Sequence, residues 1–243
     1  MSEEQPRIAV IIPAYNEAAS IAETIADAAS LARAKELIVV NDGSRDATST
    51  IARATGRATV LDLPVNLGIG GAVQTGFRYA ARAGHQLAVQ FDGDGQHVAA
   101  EIERLIAPIL AEQADVVIGS RFAERTAAPG AFRSTRSRRL GIRLLALANW
   151  LLVGRWVRDS TSGFRAYNRA AVTFLAERYP ADYPEPEALV LLGRNGFRLL
   201  EVPVVMRERQ GGRSSIAGLR SAHYMIKVLL AMLMTALRPA VRR

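Results

Sequence analysis

Along the first half of the chain, short unbroken apolar runs alternate with stretches in helical spacing. Residues 8–12 are wholly apolar up to Pro13, the pattern of a strand covered on both faces. Residues 17–32 space their apolar side chains as an amphipathic helix does. The pair then recurs. Strand-like 36–40 precedes helix-like 46–54, and strand-like 59–63 precedes helix-like 70–83. Strand-like 86–91 precedes helix-like 99–112, and a further strand follows at 115–119. Turn chemistry marks two of the joins, Asn41-Asp-Gly-Ser44 and Asp92-Gly-Asp-Gly95. Repeated strand–helix order predicts an α/β fold, a mostly parallel sheet flanked by helices. Ligands in such folds bind beyond the carboxyl ends of the strands. The 41–44 and 92–94 turns should therefore share one crevice.

After Ser120 the rhythm changes. Residues 121–139 are polar around Ala-Ala-Pro-Gly and read as a loop, and 140–153 as an amphipathic helix. Residues 159–165 read as a polar turn, 168–177 as a helix, and 183–193 as a helix with Pro184 in its first turn. Pro203 inside the run 197–205 places that strand at a sheet edge. Residues 207–215 read as a loop and 216–237 as a helix. The expected division is a main α/β domain over 1–215 and an appended amphipathic, hydrophobic C-terminal helix within 216–243. The longest apolar candidate, 224–237, is interrupted by Lys227, so it reads as interfacial or buried rather than spanning.

Composition narrows the function classes. With 49% hydrophobic and 22% charged residues among 243, the chain is of ordinary globular make-up. It has no cysteine, which excludes disulfides, thiolate metal sites and a cysteine nucleophile. Its three histidines are scattered, which argues against a histidine metal cage. The acidic start, Met-Ser-Glu-Glu, lacks the form of a secretory leader, so a cytoplasmic location is expected. Net charge is +8, with most of the surplus after Arg121. That balance favours an anionic partner. Aromatics at 6% argue against nucleic acid and leave phosphorylated substrates or an anionic membrane face.

Asp92-Gly-Asp94, directly after an apolar run, carries the sharpest chemistry. Two carboxylates one residue apart on a turn can share a hard cation that bridges a diphosphate. A plain solvated turn is the competing reading. Gln96 and His97 stand close enough in sequence to add a ligand or a supporting contact. Asp42 ends a buried run, where it could accept bonds from a base or ribose, or serve the turn. Asn66-Leu-Gly-Ile-Gly-Gly71 fails the dinucleotide pattern because Val73 replaces the third glycine. Arg158 and Arg165, beside the small polar residues 160–163, suit a phosphate site, and Arg207, Arg209 and Arg213 flank another loop. No Gly-x-Ser-x-Gly occurs. Group transfer from a nucleotide diphosphate fits these groups better than ester hydrolysis.

Six segments in fixed order carry a resemblance: Val10-Ile-Ile-Pro-Ala-Tyr-Asn-Glu17, Val39-Val-Asn-Asp-Gly-Ser44, Asn66-Leu-Gly68, Phe91-Asp-Gly-Asp-Gly-Gln-His97, Gly119-Ser-Arg121 and Asp159-Ser-Thr-Ser-Gly-Phe-Arg165. The chain resembles family-2 glycosyltransferases of the GT-A fold, and within them the dolichol-phosphate mannosyltransferase and polyprenyl-phosphate glycosyltransferase branch. The resemblance implies a metal-dependent, inverting enzyme that moves a sugar from a GDP- or UDP-sugar to a polyprenyl phosphate. It implies that Pro13, Ala14, Tyr15, Glu17, Asp42 and Asp92 hold the nucleotide. Asp92, Asp94 and Gln96 would hold Mg2+ or Mn2+. Arg158, Ser162, Arg209 and Arg213 would hold the acceptor phosphate, with Asp159, Asp94 and Arg209 in catalysis. Relatives often carry Arg-x-x-Gly-x-Ser-Lys near the end of this domain, whereas Arg209-Gln-Gly-Gly-Arg-Ser-Ser215 has serine for the lysine and Arg213 nearby. A peripheral position on the cytoplasmic membrane face is expected, through 140–153 and 216–237, with pairing to a second copy or a membrane protein as the other use of those helices. Two further readings stay open. One is transfer to a glycan hydroxyl, for which Asp159, Glu185 or Glu187 would be the base. The other is a sugar-phosphate nucleotidyltransferase, which should carry a basic glycine-rich loop where Pro13-Ala-Tyr-Asn-Glu17 stands.

Overall fold

The computed structural model describes residues 6–31, 35–122, 136–207 and 219–241. The apolar runs of the first half become β1 (Ile8–Ala14), β2 (Lys35–Asn41), β3 (Thr59–Asp62), β4 (Leu87–Gln90) and β5 (Val116–Ser120). Between them lie α1 (Ile21–Ala29), α2 (Thr48–Ala54), α3 (Gly68–Arg82) and α4 (Ile102–Leu110). The second half adds α5 (Arg136–Val153), β6 (Arg165–Asn168), α6 (Arg169–Arg178), α7 (Pro184–Arg194), β7 (Leu199–Pro203) and α8 (Leu219–Leu237).

One seven-stranded sheet runs in the order β3-β2-β1-β4-β6-β5-β7. β1 is buried at every position, which is why its sequence shows no alternation. Its side chains still divide between two layers. Ile8, Val10 and Ile12 join Ile21 and Ile25 of α1 and Leu105 of α4. Ala9 and Ile11 join Val73 and Phe77 of α3 and Val172 of α6. β1, β2, β3 and β4 pair in parallel, and β7 pairs in parallel with β5 at the edge, as Pro203 required.

β6 departs from the expected order. It runs antiparallel between β4 and β5, over residues that read as the end of a turn and the start of a helix. Four residues, Arg-Ala-Tyr-Asn, offer too little periodicity to reveal a strand. Its Arg165 is fully buried, a side chain that normally marks surface. Asn168 ends the strand and caps α6, its side chain accepting from Ala171 N at 2.9 Å.

α8 lies against α5 and α7, where Val228, Met232 and Ala236 share a small core with Leu145 and Val190. No described helix is long and apolar enough to cross a membrane. Residues 123–135, from the expected loop, and 208–218, with the expected domain boundary, lie outside the described residues.

Candidate active site

Since β2, β1 and β4 are adjacent and parallel, the segments that leave them meet at one edge. Backbone-to-side-chain bonds sew the first two together. Asn16 N donates to Ser44 Oγ at 2.9 Å, Arg45 N to Asn16 Oδ1 at 2.9 Å, and Glu17 N to Thr48 Oγ1 at 2.8 Å. Asn16 takes a left-handed backbone, φ 56°, which asparagine tolerates. Ser20 Oγ lies 2.8 Å from Gly93 O and 2.9 Å from Glu17 Oε2, fixing the 92–95 turn against α1. Pro13, Ala14, Tyr15, Glu17, Asp42 and Asp92 are thereby brought to the same carboxyl edge of the sheet. Pro13 and Ala14 are buried, while Tyr15 is exposed. Asp42 is buried, and its Oδ1 accepts from Leu67 N at 2.7 Å, so it anchors the entry to α3.

The paired carboxylates are set up with care. Asp94 Oδ1 accepts from Gln96 N at 3.1 Å, closing the turn. Asp92 N donates to His97 Nδ1 at 2.9 Å. His97 must then carry its proton on Nε2, which faces Asp92 Oδ2 at 3.6 Å. The imidazole is buried and stacks on Phe164, with ring centroids 4.4 Å apart. Burial pushes its pKa down to about 3, with Asp94 pulling the other way. His97 therefore supports Asp92 as a neutral ring.

A lowered histidine pKa has a stability consequence. The unfolded chain takes up a proton near the ordinary value of 6.5, whereas the folded chain does so only near 3. Folding stability should fall as pH drops from 6.5 toward 3, by up to about 1.4 kcal/mol per pH unit from this group. His97→Gln should flatten that part of the pH dependence, read by urea unfolding in metal-free buffer at pH 7 and pH 5.

Gly163 closes the opposite side of Asp92. A Cβ there would meet Asp92 Oδ2 at 2.8 Å and Oδ1 at 3.0 Å, so only glycine lets the carboxylate keep its place. Gly163→Ala should displace that carboxylate and weaken Mn2+-dependent donor binding about 10- to 100-fold, as supporting contacts at metal sites do. Titration calorimetry checks it, and unchanged affinity would mean that the carboxylate position is unimportant.

The start of β6 and the end of β5 supply the other wall. Arg121 clamps buried Asp159, with Nε to Oδ2 and Nη2 to Oδ1 both at 2.7 Å, and its backbone N donates to Oδ2 at 3.1 Å. Burial works to lower the Arg121 pKa, but Asp159, Asp92 and Asp94 together raise it. The guanidinium thus sits within electrostatic reach of both carboxylates of the 92–94 turn. Glu201 of β7 holds the 158–159 backbone, accepting from Asp159 N at 2.7 Å and Arg158 N at 3.0 Å. Arg158 is exposed and Ser162 is buried. Arg209 and Arg213 lie outside the described residues.

Two expectations from the residues are corrected. Arg165 is no phosphate ligand: it donates to the carbonyls of Ser160 at 2.9 Å, Ser162 at 2.8 Å and Glu185 at 2.9 Å. A fully buried guanidinium so engaged holds the 160–163 turn against α7. Glu187 is no free base either, because its carboxylate accepts from Tyr183 N at 3.0 Å and Thr235 Oγ1 at 3.0 Å. Glu185, half-buried at the start of α7, has its pKa raised by burial and then by Asp92, against a lowering by Arg165.

Arg121 and Glu201 were not assigned roles by sequence reasoning. The available signal for Arg121 was its position directly after a buried strand, where Asp42 also stands. Nothing in the sequence marked Glu201, since its task depends on the pairing of β7 with β5.

For a divalent cation, the donor set present is Asp92 and Asp94, and no group of three or more acidic or histidine side chains forms a cage among the described residues. That set fits an ion completed by ligand oxygens rather than one held by protein alone.

A doubly layered α/β sheet with an acidic Asp-x-Asp turn at its carboxyl edge frames the site, and similarity to known proteins gives its family. Residues 9–174 match the description Glycosyl transferase family 2, and the chain belongs to that family. It is therefore a glycosyltransferase. It is 32% identical to the UDP-N-acetylglucosamine–dolichyl-phosphate N-acetylglucosaminyltransferase of Methanococcus voltae, over 81% of this chain and 84% of that one. Identity is 31% to the polyprenol monophosphomannose synthase of Mycolicibacterium smegmatis, over 91% and 85% of the two chains. Among solved structures, glucosyl-3-phosphoglycerate synthase from Mycobacterium tuberculosis, in complex with Mg2+ and UDP, matches with TM-score 0.70 and 25% identity, covering 96% of this chain and 80% of that one. The GT-A expectation holds, and the nucleotidyltransferase alternative loses its support.

Proposed function

We propose that this chain transfers a sugar from a nucleotide-diphosphate sugar, a UDP- or GDP-sugar, to a polyprenyl phosphate at the cytoplasmic face of a membrane. The carrying observation is the Asp92-Gly-Asp94 turn within electrostatic reach of Arg121, which is paired with Asp159. The acceptors named for the Methanococcus and Mycolicibacterium relatives support the lipid phosphate. The catalytic unit is taken as 1–215, with the C-terminal helix as an appendage. In this reading Pro13, Ala14, Tyr15, Glu17 and Asp42 flank the nucleoside. Asp92 and Asp94, with Gln96 beside them, would hold Mg2+ or Mn2+, which neutralises charge on the departing diphosphate. Arg158, Ser162, Arg209 and Arg213 are assigned to the acceptor phosphate.

The chemistry needs little proton transfer. An oxygen of the acceptor phosphate is already anionic near neutral pH. Its lone pair forms the bond to the anomeric carbon as the bond to the diphosphate oxygen breaks, and the electron pair leaves with the nucleotide. Attack opposite the leaving group inverts the anomeric centre. The protein orients the two partners and stabilises the charge that develops. Asp159 is proposed to position Arg121 rather than to take a proton.

One observation favours a second reading. Glu185 has a raised pKa near Asp92, the form a general base takes when a sugar hydroxyl is the acceptor. The discriminating experiment incubates the protein with Mn2+ or Mg2+ and radiolabelled UDP- or GDP-sugars, with undecaprenyl or dolichyl phosphate present or absent. Labelled lipid supports the proposal and names the donor. Donor binding without lipid product, and product on a glycan acceptor that Glu185→Gln removes, would replace it with the hydroxyl reading.

A further inference from the structure

α5 buries a stripe at helical spacing, in which Leu145, Leu152 and Val153 face the small core shared with α7 and α8. Position 149 falls on that stripe, and spacing alone would give it an apolar side chain. It is an asparagine, 1% exposed. Asn149 Nδ2 donates to Leu145 O, one turn back, at 3.1 Å and to Ser160 Oγ at 2.6 Å. Leu145 O can only accept, so the amide nitrogen faces it and the orientation of the side chain follows. Oδ1 is left buried with no hydrogen-bond partner among the described residues. A leucine here would avoid that cost and favour the helix more. An unsatisfied buried atom calls for a reason, and departures from local consistency gather at functional sites.

The reason lies at Ser160, which is buried within the 158–163 turn. Other elements hold its neighbours. Glu201 of β7 accepts from the backbone N–H groups of Arg158 and Asp159, and Arg121 clamps the Asp159 carboxylate. Arg165 of β6 donates to the Ser160 and Ser162 carbonyls. Asn149 adds a hold on the Ser160 hydroxyl, whose own proton points to Val157 O at 3.3 Å. α5 thereby reaches the turn that carries Arg158 and Ser162. The donor side is held separately: the 92–97 turn rests on His97, Ser20 and Thr24. Gly163, which borders Asp92, keeps the Arg165 bond to Ser162 O beside it.

We propose that Asn149 is a positioning residue for the acceptor: through Ser160 it fixes where Arg158 and Ser162 stand to receive the acceptor phosphate. This role rests on the assignment of those two residues to the acceptor in the polyprenyl-phosphate reading. Groups on one short turn that grip a phosphate together must each sit within about 0.5 Å of a productive place. Losing one anchor of that turn should therefore weaken acceptor binding and leave the donor side as it was.

Asn149→Leu is the test. The leucine is similar in size and suits the stripe, and Ser160 keeps Val157 O as a partner, so circular dichroism and melting temperature should stay near wild type. Rates with a short-chain polyprenyl phosphate in detergent should show the acceptor KM raised about tenfold, with kcat and donor KM changed by less than about threefold. Calorimetric binding of the nucleotide-sugar with Mn2+ should be unchanged. Ser160→Ala removes the same bond from its other side and should give the same split, even if the leucine variant folds poorly. Asn149→Leu/Ser160→Ala should be no worse than either single variant. A merely structural asparagine would lower stability while acceptor and donor KM stay put or rise together, and that result would overturn the proposal. Lipid product from the wild type with no split in either variant would remove the role of Asn149 alone. A wild type that binds donor but makes no lipid product would remove the polyprenyl-phosphate reading, and this role with it.

Discussion

Under the proposed reading, Asp94→Asn is expected to lower kcat/KM by about a thousandfold or more and to abolish Mn2+-dependent donor binding, while the fold remains. The expected size follows from removing one of two carboxylates in a donor set that has no third acidic member among the described residues. The asparagine keeps an oxygen able to accept from Gln96 N, so the turn closes as in the wild type. What it removes is the charge. Asp94→Ala removes that bond as well, at an added cost of about 1 kcal/mol in stability. Comparing the two variants by thermal unfolding and by calorimetric Mn2+ titration separates charge from architecture. An Asp94→Asn enzyme within tenfold of wild type would exclude this turn as the cation site.

Arg121→Met is expected to cost about 3–5 kcal/mol of stability, because it leaves the Asp159 carboxylate buried without its partner. For a chain of this size the melting temperature should drop on the order of 10 °C. Arg121→Met/Asp159→Asn should recover much of that loss, since the stranded charge is gone. Activity should stay low in both variants, as the positive charge facing Asp92 and Asp94 is absent. Urea unfolding and steady-state rates across pH make the distinction. If Asp159 were a general base, Asp159→Asn would erase an acidic limb of the kcat/KM profile. A clamped carboxylate gives instead a loss of stability with an unchanged profile.

The positions of Asp42, Asp92 and Asp94 were legible because each of their turns follows a strand buried on both faces, and such strands read as unbroken apolar runs. Ile8–Ala14, Lys35–Asn41 and Leu87–Gln90 announced themselves this way, and with the last two the places of Asp42, Asp92 and Asp94. The opposite wall was less legible because it is built on Arg165–Asn168, where burial is carried by an arginine and a tyrosine. Local pattern assigns such an arginine to solvent or to a ligand. Only the tertiary arrangement shows its three carbonyl partners. Glu187 misled for a related reason: a carboxylate in a first helical turn looks free until Thr235 arrives from nearly fifty residues on.

The placing of β6 also has a consequence for synthesis. β4 pairs with β1 on one side, but its other side is closed only by β6, with Leu87 opposite Asn168 and Gln90 opposite Arg165. While the ribosome makes the intervening residues, β4 is an edge strand with an unfilled row of hydrogen bonds. At roughly 5–20 residues per second, that interval lasts several seconds. A nascent chain in this state presents a flat apolar edge to its neighbours, the kind that folded sheets conceal. Chains arrested between 110 and 160 should therefore be held by chaperones or aggregate. Chains extended past 170 should become protease-resistant, and the catalytic crevice and the protection of β4 would form in the same step.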